Sequence, residues 1–217
     1  MRIGIEAARA NQPNKTGTEW YAYELTRAMV ALGAPHEYML YSKTPLEPTL
    51  ARLGPNVTSR VLPWPPRLWT HTALMWEVNM HKPDVLFVPA HTIPFFHLIP
   101  TVTMTHDVGF RRAPELYAHK ELAYHRFSMW LAVKTAKMIL VPTEFTKSEI
   151  LDLYRIPEKK LIVIHHGFAP GRFHVIADQK EVQSALDRYG IHQPYFLYVG
   201  RLQEKKNIPN LIRAFAH

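Results

Sequence analysis

The stretch from Val85 to Thr105 contains no Asp, Glu, Lys or Arg, and as a single helix it would be long enough to cross a bilayer. It cannot be a single helix, because Pro89, Pro94 and Pro100 interrupt it and each proline removes a backbone donor and clashes with the preceding turn. The stretch therefore divides into two uncharged runs, Val85–Val88 and Thr101–Thr105, joined by a loop. Both read as short buried strands of the parallel type. Parallel strands need crossover helices. Candidates flank the pair, with Tyr21, Leu25, Met29 and Leu32 on one helical face and Leu122, Phe127, Trp130, Leu131 and Val133 within a helical region over 117–135. Further strands are predicted at Arg2–Glu6, Glu37–Tyr41, Val57–Leu62 and Lys137–Val141. The expected fold is α/β, a Rossmann-like parallel sheet with helices on both faces.

With 217 residues and 47% hydrophobic content, the chain can bury one sizeable core. It has no cysteine, which excludes a disulfide scaffold, a thiol nucleophile and thiolate metal sites, and fits a reducing compartment. Met1–Glu6 runs straight into the first strand without a basic, apolar leader, so a cytoplasmic location is expected. The formal charge is +8, and nearly all of the excess lies in the second half: residues 1–110 hold nine Lys/Arg and eight Asp/Glu, residues 111–217 seventeen and ten. An anionic ligand or the inner face of a membrane would use that excess. Nucleic acid is not expected as a partner, because no binding module is present and the basic residues form no dense run.

Ligands of open α/β sheets bind beyond the carboxyl ends of the strands. The strand over 101–105 delivers His106 and Asp107 to that edge, and His91 follows the preceding strand. Near the N-terminus, a strand, the loop Ala7–Lys15 and Thr16-Gly17-Thr18-Glu19 come in the order of a doubly wound domain, with Thr16 and Glu19 at capping-box spacing. Gly17 reads either as part of an anion-binding loop or as a plain helix-start glycine. The full G-x-G-x-x-G is absent, which argues against a dinucleotide site. Thr143 or Thr146 caps the helix after the strand over 137–141. Arg111 and Arg112 read as surface charge or as contacts for an anionic acceptor. Trp64, Trp69 and Trp76 form either a membrane-interface patch or, with Leu68 and Met75, a helix packed on the sheet. His165 and His166 are adjacent on a strand and so point oppositely, against joint metal ligation.

The most specific stretch is the last. Tyr195–Val199 is an aromatic-rich apolar run expected to be a buried strand, Gly200 turns the backbone, Arg201 and Lys206 bracket a polar loop, and Ile208, Leu211, Ile212 and Phe215 fall at helical spacing. Fixed positive charge beside a helix N-terminus suits a diphosphate. The string Gly200-Arg201-Leu-x-x-x-Lys206-Asn207 followed by Leu-Ile-x-Ala-Phe resembles the motif that opens the second domain of family 4 retaining glycosyltransferases, which have the GT-B fold. His106-Asp107 and the elements over 143–167 are similar to that family's first domain.

The resemblance implies transfer of a sugar from a nucleoside diphosphate sugar to a glycan, lipid or other acceptor with retention of configuration. It implies that Arg201 and Lys206 hold the donor diphosphate, with Gly17 in the phosphate-side loop. It also implies that His106 contacts the donor sugar, and that Asp107, His91 and Thr143 line the sugar and acceptor cleft. No cofactor and no metal are expected, since no Asp-x-Asp occurs; the partners are the donor, a glycan or lipid-linked acceptor and, peripherally, a membrane. The implied domains are an acceptor-side Rossmann-like domain at 1–168, a linker at 169–194, and the first strand and helix of a donor-binding domain at 195–217. One strand and one helix cannot bury their own apolar faces, so roughly another 100 to 200 residues are expected to complete that domain. The family's pair of donor-handling glutamates would lie there, and the chain alone is expected to be inactive. Alternatives are a non-catalytic glycan- or anion-binding module, another GT-B nucleotide-sugar enzyme such as an epimerase, and a phosphorylase-like enzyme, disfavoured because no cofactor lysine can be placed.

Overall fold

Seven strands pair in parallel in the order β3-β2-β1-β4-β5-β6-β7. They are β1 (Arg2–Glu6), β2 (Glu37–Ser42), β3 (Val57–Val61), β4 (Val85–Val88), β5 (Thr101–Met104), β6 (Met138–Val141) and β7 (Leu161–Val163). The helices are α1 (Gly17–Ala31), α2 (Pro48–Ala51), α3 (Ala73–His81), α4 (Gly109–Arg112), α5 (His119–Thr135), α6 (Glu144–Tyr154), α7 (Gln179–Tyr189) and α8 (Ile208–Phe215). The computed structural model describes all residues except 34, 64–67 and 217. It divides into two units, Met1–His166 and Gly167–His217.

Alternation along the central strands fixes the layers. Leu86, Val88, Ile139 and Val141 join one core with residues of α3, α5 and α6, including Leu74, Val78, Met129 and Ile150. Ile5, Leu40 and Phe87 join a second core with Val30 of α1, against which Leu25 and Met29 also pack. Because successive strand residues point to opposite faces, helices cover both sides of the sheet, as the apolar runs require. β1 is central, with Ile3 opposite Tyr38 on one side and Val85 on the other. Gly4 is needed there, because a Cβ would lie 2.8 Å from Cε2 of Tyr41.

Three expectations need correction. The fully buried residues of α1 are Ala22, Tyr23, Thr26 and Val30; of the predicted stripe, Leu25 and Met29 pack half-buried against the core, whereas Leu32 is 82% exposed at the C-cap. The Tyr21 ring turns instead toward the carboxyl edge of the sheet, as described below. Among the tryptophans, Trp69 is fully buried and its indole N–H donates to the carbonyl of Leu62 at 3.1 Å, so it closes the connection from β3 to α3 and cannot face a membrane. Trp76 and Leu68 are exposed, and Trp64 lies outside the described residues. Finally, Tyr195–Val199 forms no strand, and Phe196 is 88% exposed. A strand exists by pairing its backbone with a neighbour, and the second unit supplies none among the described residues.

The second unit does contain the predicted turn and helix. A 3₁₀ turn at Glu204–Lys206 leads through Asn207, in the left-handed region at φ 53°, into α8, and Phe196 packs edge-on against Phe215 at 5.5 Å. Among the described residues, no helix is long and apolar enough to cross a membrane. The stretch over 85–105 is indeed two strands and a loop.

Candidate active site

The strand order reverses at β1 and β4: from this pair the chain runs outward to β2 and β3 on one side and to β5, β6 and β7 on the other. Such a switch point opens a crevice at the carboxyl ends of the strands, and the imidazoles of the first unit gather there. His106, just beyond β5, lies within 4.8 Å of the Tyr21 ring and 5.3 Å of His166, and Tyr21 is 4.8 Å from His166. Nε2 of His106 lies 3.3 Å from the carbonyl of Pro89. A carbonyl only accepts, so Nε2 carries the proton and Nδ1 is left as an acceptor.

Burial sets the protonation states. It lowers His106 and His166 below the usual histidine range, with the Pro89 bond partly opposing it at His106, and it pushes His91 down to about 3, reinforced by His125. These rings are neutral at physiological pH. Tyr21 is pushed up to about 12 by burial and remains a phenol.

Glu6 ends β1 in a buried position, and one of its carboxylate oxygens accepts the N–H of Ala8 at 3.0 Å. Burial raises its pKa, while Arg9 and Lys43 pull it back. Arg9 also bears electrostatically on His91 and His106 and lies 3.7 Å from Glu19. Arg9 is thus one of the fixed positive charges near this edge, with Lys43.

The other predicted site residues take more local positions. Thr143 caps α6, accepting the N–H of Thr146 at 3.0 Å beyond β6. One carboxylate oxygen of Asp107 accepts the N–H of Gly109 at 2.9 Å, which starts α4. Gly17 opens α1 behind the Thr16–Glu19 box, in which the carboxylate of Glu19 accepts the Thr16 N–H at 3.1 Å. A Cβ on Gly17 would meet nothing within 4 Å, so chain packing does not demand a glycine there. Arg112 is held by Glu149 and Asp152, with its Nη2 at 2.7 and 2.9 Å from them, which makes it a tie to α6. His165 binds the carbonyl of Pro142 at 2.9 Å, whereas its neighbour His166 joins the imidazole cluster. Arg201 and Lys206 belong to the second unit, Lys206 closing the 3₁₀ turn before α8. Among the described residues, no three metal-ligating side chains converge.

Sequence reasoning missed Tyr21, Glu6, Arg9 and His125. In the sequence Tyr21 falls on an apolar stripe and Glu6 ends the first strand. A single Arg in an unassigned loop and a His inside a helical region carry no local signal.

Comparison with known proteins places this geometry. The chain is 26% identical over 141 residues to O-antigen chain mannosyltransferase B of Escherichia coli, covering 64% of this chain and 36% of that protein. It is 28% identical over 118 residues to an uncharacterized glycosyltransferase of Methanocaldococcus jannaschii, covering 54% of this chain and 30% of the relative. The chain therefore spans about a third of the length of these curated relatives. Among solved structures, it superposes on Anabaena HepE, crystallised with UDP and glucose, with a TM-score of 0.56 at 15% identity over 88% of this chain and 50% of that one. It superposes equally on WaaG, a glycosyltransferase involved in lipopolysaccharide biosynthesis, with a TM-score of 0.56 at 12% identity over 89% and 52%. At such identities the likeness is one of fold, the Rossmann-like sheet of GT-B enzymes. The model of Glycosyltransferase Family 4 matches residues 15–172, a span that includes α1 and every strand from β2 to β7, and on that match the chain belongs to glycosyltransferase family 4.

Proposed function

We propose that the protein transfers a sugar from a nucleoside diphosphate sugar to a glycan or lipid-linked acceptor, with retention of anomeric configuration. The carrying observation is that the family match over 15–172 contains the histidines of the switch-point crevice, His91, His106 and His166. The first unit serves the acceptor side and the sugar. His106 contacts the donor sugar, and His91, Asp107 and Thr143 border the cleft. Arg201 and Lys206 neutralise the donor diphosphate, with Gly17 on the phosphate side, and the chemistry needs neither cofactor nor metal. UDP in the HepE crystals and the mannosyltransferase name of one relative support a nucleotide-sugar donor as a class. The 217-residue chain by itself is expected to show no transfer.

The test is turnover by the full-length enzyme, supplied with a panel of nucleoside diphosphate sugars and with oligosaccharide or lipid-linked acceptors. The expected product is a glycoside whose anomeric configuration, read by NMR, equals that of the donor. An inverted product removes retention, and a rearranged sugar still attached to its nucleotide favours the epimerase reading. Glycan binding indifferent to nucleotide, without turnover, favours the binding module.

A peripheral membrane contact is part of the same proposal, relocated from the tryptophan cluster. Trp76, Phe95, Phe96, Leu98, Phe127 and Trp130 are all exposed. His71 lies between Phe95 and Phe127, with ring centroids at 5.6 and 6.1 Å, Phe127 stacks on Trp130 at 6.2 Å, and Asn79 binds the backbone of Phe96 and Leu98. Lys134 is exposed one turn beyond Trp130. Exposed aromatics beside lysine suit an anionic bilayer surface. Cosedimentation with phosphatidylglycerol vesicles is expected, weaker with phosphatidylcholine alone, and abolished by joint Phe96→Glu and Trp130→Glu exchange. Equal binding by that variant would remove the patch from the proposal.

A further inference from the structure

The turn that follows β4 is held residue by residue. The carbonyl of Pro89 accepts from His106, that of Ala90 from the hydroxyl of Thr103, His91 meets His125, and Thr92 meets the hydroxyl of Tyr124 at 3.3 Å. Two of these partners, Tyr124 and His125, come from α5. His125 is fixed more firmly than a surface helix residue needs to be. Phe110 stacks on its ring at 5.4 Å, Tyr117 meets it edge-on at 5.8 Å and Tyr124 lies at 6.3 Å. The carboxylate of Glu121, four residues earlier on the same helix, lies 3.4 Å from Nε2 of His125. On its other side, Nδ1 of His125 is 3.0 Å from Nε2 of His91.

Proton counting along this row gives one consistent arrangement for neutral rings. A carboxylate beside Nε2 of His125 favours the tautomer that keeps the proton there. Nδ1 of His125 is then bare and accepts, so the proton between the two rings belongs to Nε2 of His91. A neutral imidazole has one N–H, and Nδ1 of His91 is left with a lone pair. Among the described residues, that nitrogen has no hydrogen-bond partner. The charged and titratable groups that bear on His91 are Arg9 after β1, His106 and Asp107 after β5, and His125 on α5, all at the switch-point edge.

We propose that His125 is a positioning residue: oriented by Glu121 and its aromatic surround, it accepts the Nε2 proton of His91, so that Nδ1 of His91 is presented as an acceptor for a sugar hydroxyl in the crevice. The tautomer coupling stands on the geometry, and the identity of the hydroxyl as a sugar's rests on the glycosyl-transfer reading. An acceptor nitrogen at this point favours a hydroxyl, which can donate, and disfavours an ionised phosphate, which cannot. Holding the tautomer in advance spares the ring a reorientation on binding.

Two measurements test this. The first is ¹⁵N NMR of histidine-labelled protein, with His91 assigned by its loss in His91→Gln. The His91 ring is expected to carry its proton on Nε2, and His125→Leu is expected to mix its two tautomers. The second is the kinetics of the full-length enzyme, with KM measured separately for donor and acceptor to show which sugar supplies the hydroxyl. His125→Leu is expected to raise one of the two KM values about tenfold, the effect of roughly one hydrogen bond, with a smaller change in kcat. His125→Gln, whose side-chain carbonyl still accepts, is expected to recover most of that loss. A native His91 protonated on Nδ1 would overturn the proposal. So would a His125→Leu protein that loses thermal stability but keeps the native tautomer and both KM values. If the tautomer is as expected while the full-length enzyme transfers no sugar, the glycosyl-transfer reading fails, and the sugar hydroxyl with it, but the His125–His91 coupling is confirmed.

Discussion

Exchange of Arg201 or Lys206 for alanine in the full-length enzyme is expected to lower turnover by about a hundredfold to a thousandfold, the range seen when one preorganised charge-stabilising donor is removed. The physical reason is the timing of charge. In the proposed transfer, negative charge grows on the leaving diphosphate as the glycosidic bond breaks, and a cation already in place gains most at that moment. Both residues precede α8, with Lys206 in the 3₁₀ turn and Asn207 at the N-cap. Steady-state kinetics with a saturating donor distinguish this from simple binding: the effect should fall on kcat as well as on kcat/KM. Arg201→Lys is expected to recover only part of the loss, since an ammonium lacks the planar two-point fork of guanidinium. A variant with raised donor KM and native kcat would show that the residue binds the ground state and transition state alike.

Trp69→Ala is expected to cost about 3–5 kcal/mol of stability, a large share of the roughly 5–15 kcal/mol that folds a typical domain. Trp69 is among the largest fully buried side chains, belongs to the core shared by α3, α5 and the sheet, and has the ammonium of Lys43 at 5.7 Å over its ring. Alanine would leave a cavity and an unpaired carbonyl at Leu62. Urea denaturation followed by circular dichroism measures the loss. Trp69→Phe, which fills most of the volume without the N–H, should cost distinctly less and so apportions packing and hydrogen bond. A change under about 1 kcal/mol for the alanine variant would show that the core closes over the site.

The centre of the sheet was legible because β4 is apolar throughout and β5 carries no charge. Val85–Val88 and Thr101–Met104 have no alternative use in a chain whose prolines forbid one long helix, and the crevice followed from strand order. Tyr195–Val199 shows the limit of the same reasoning: its composition is that of a strand, but pairing is a property of neighbours and cannot be read from one segment. At the site, His106 was legible because it ends a strand. Tyr21 and His125 were not, because a helix sends some side chains to a core and others to a cleft with the same periodicity, and only the packed direction of α1 and α5 separates them. Arg9 lies in a loop whose path is fixed by contacts such as the bond from the Asn11 amide to Pro45, far away in sequence.

The position of β1 also governs the order in which the protein can assemble. β1 pairs with β2 and with β4, both made after it, and the second partnership must wait until Phe87 has been made. One side of the sheet, β3-β2-β1, can form while the other is still unsynthesised, leaving one edge of β1 open through that interval. Closing it joins residues about eighty positions apart, the kind of long-range contact that slows folding. The crevice lies at that same junction, so the site takes shape only once the second edge of β1 has been closed.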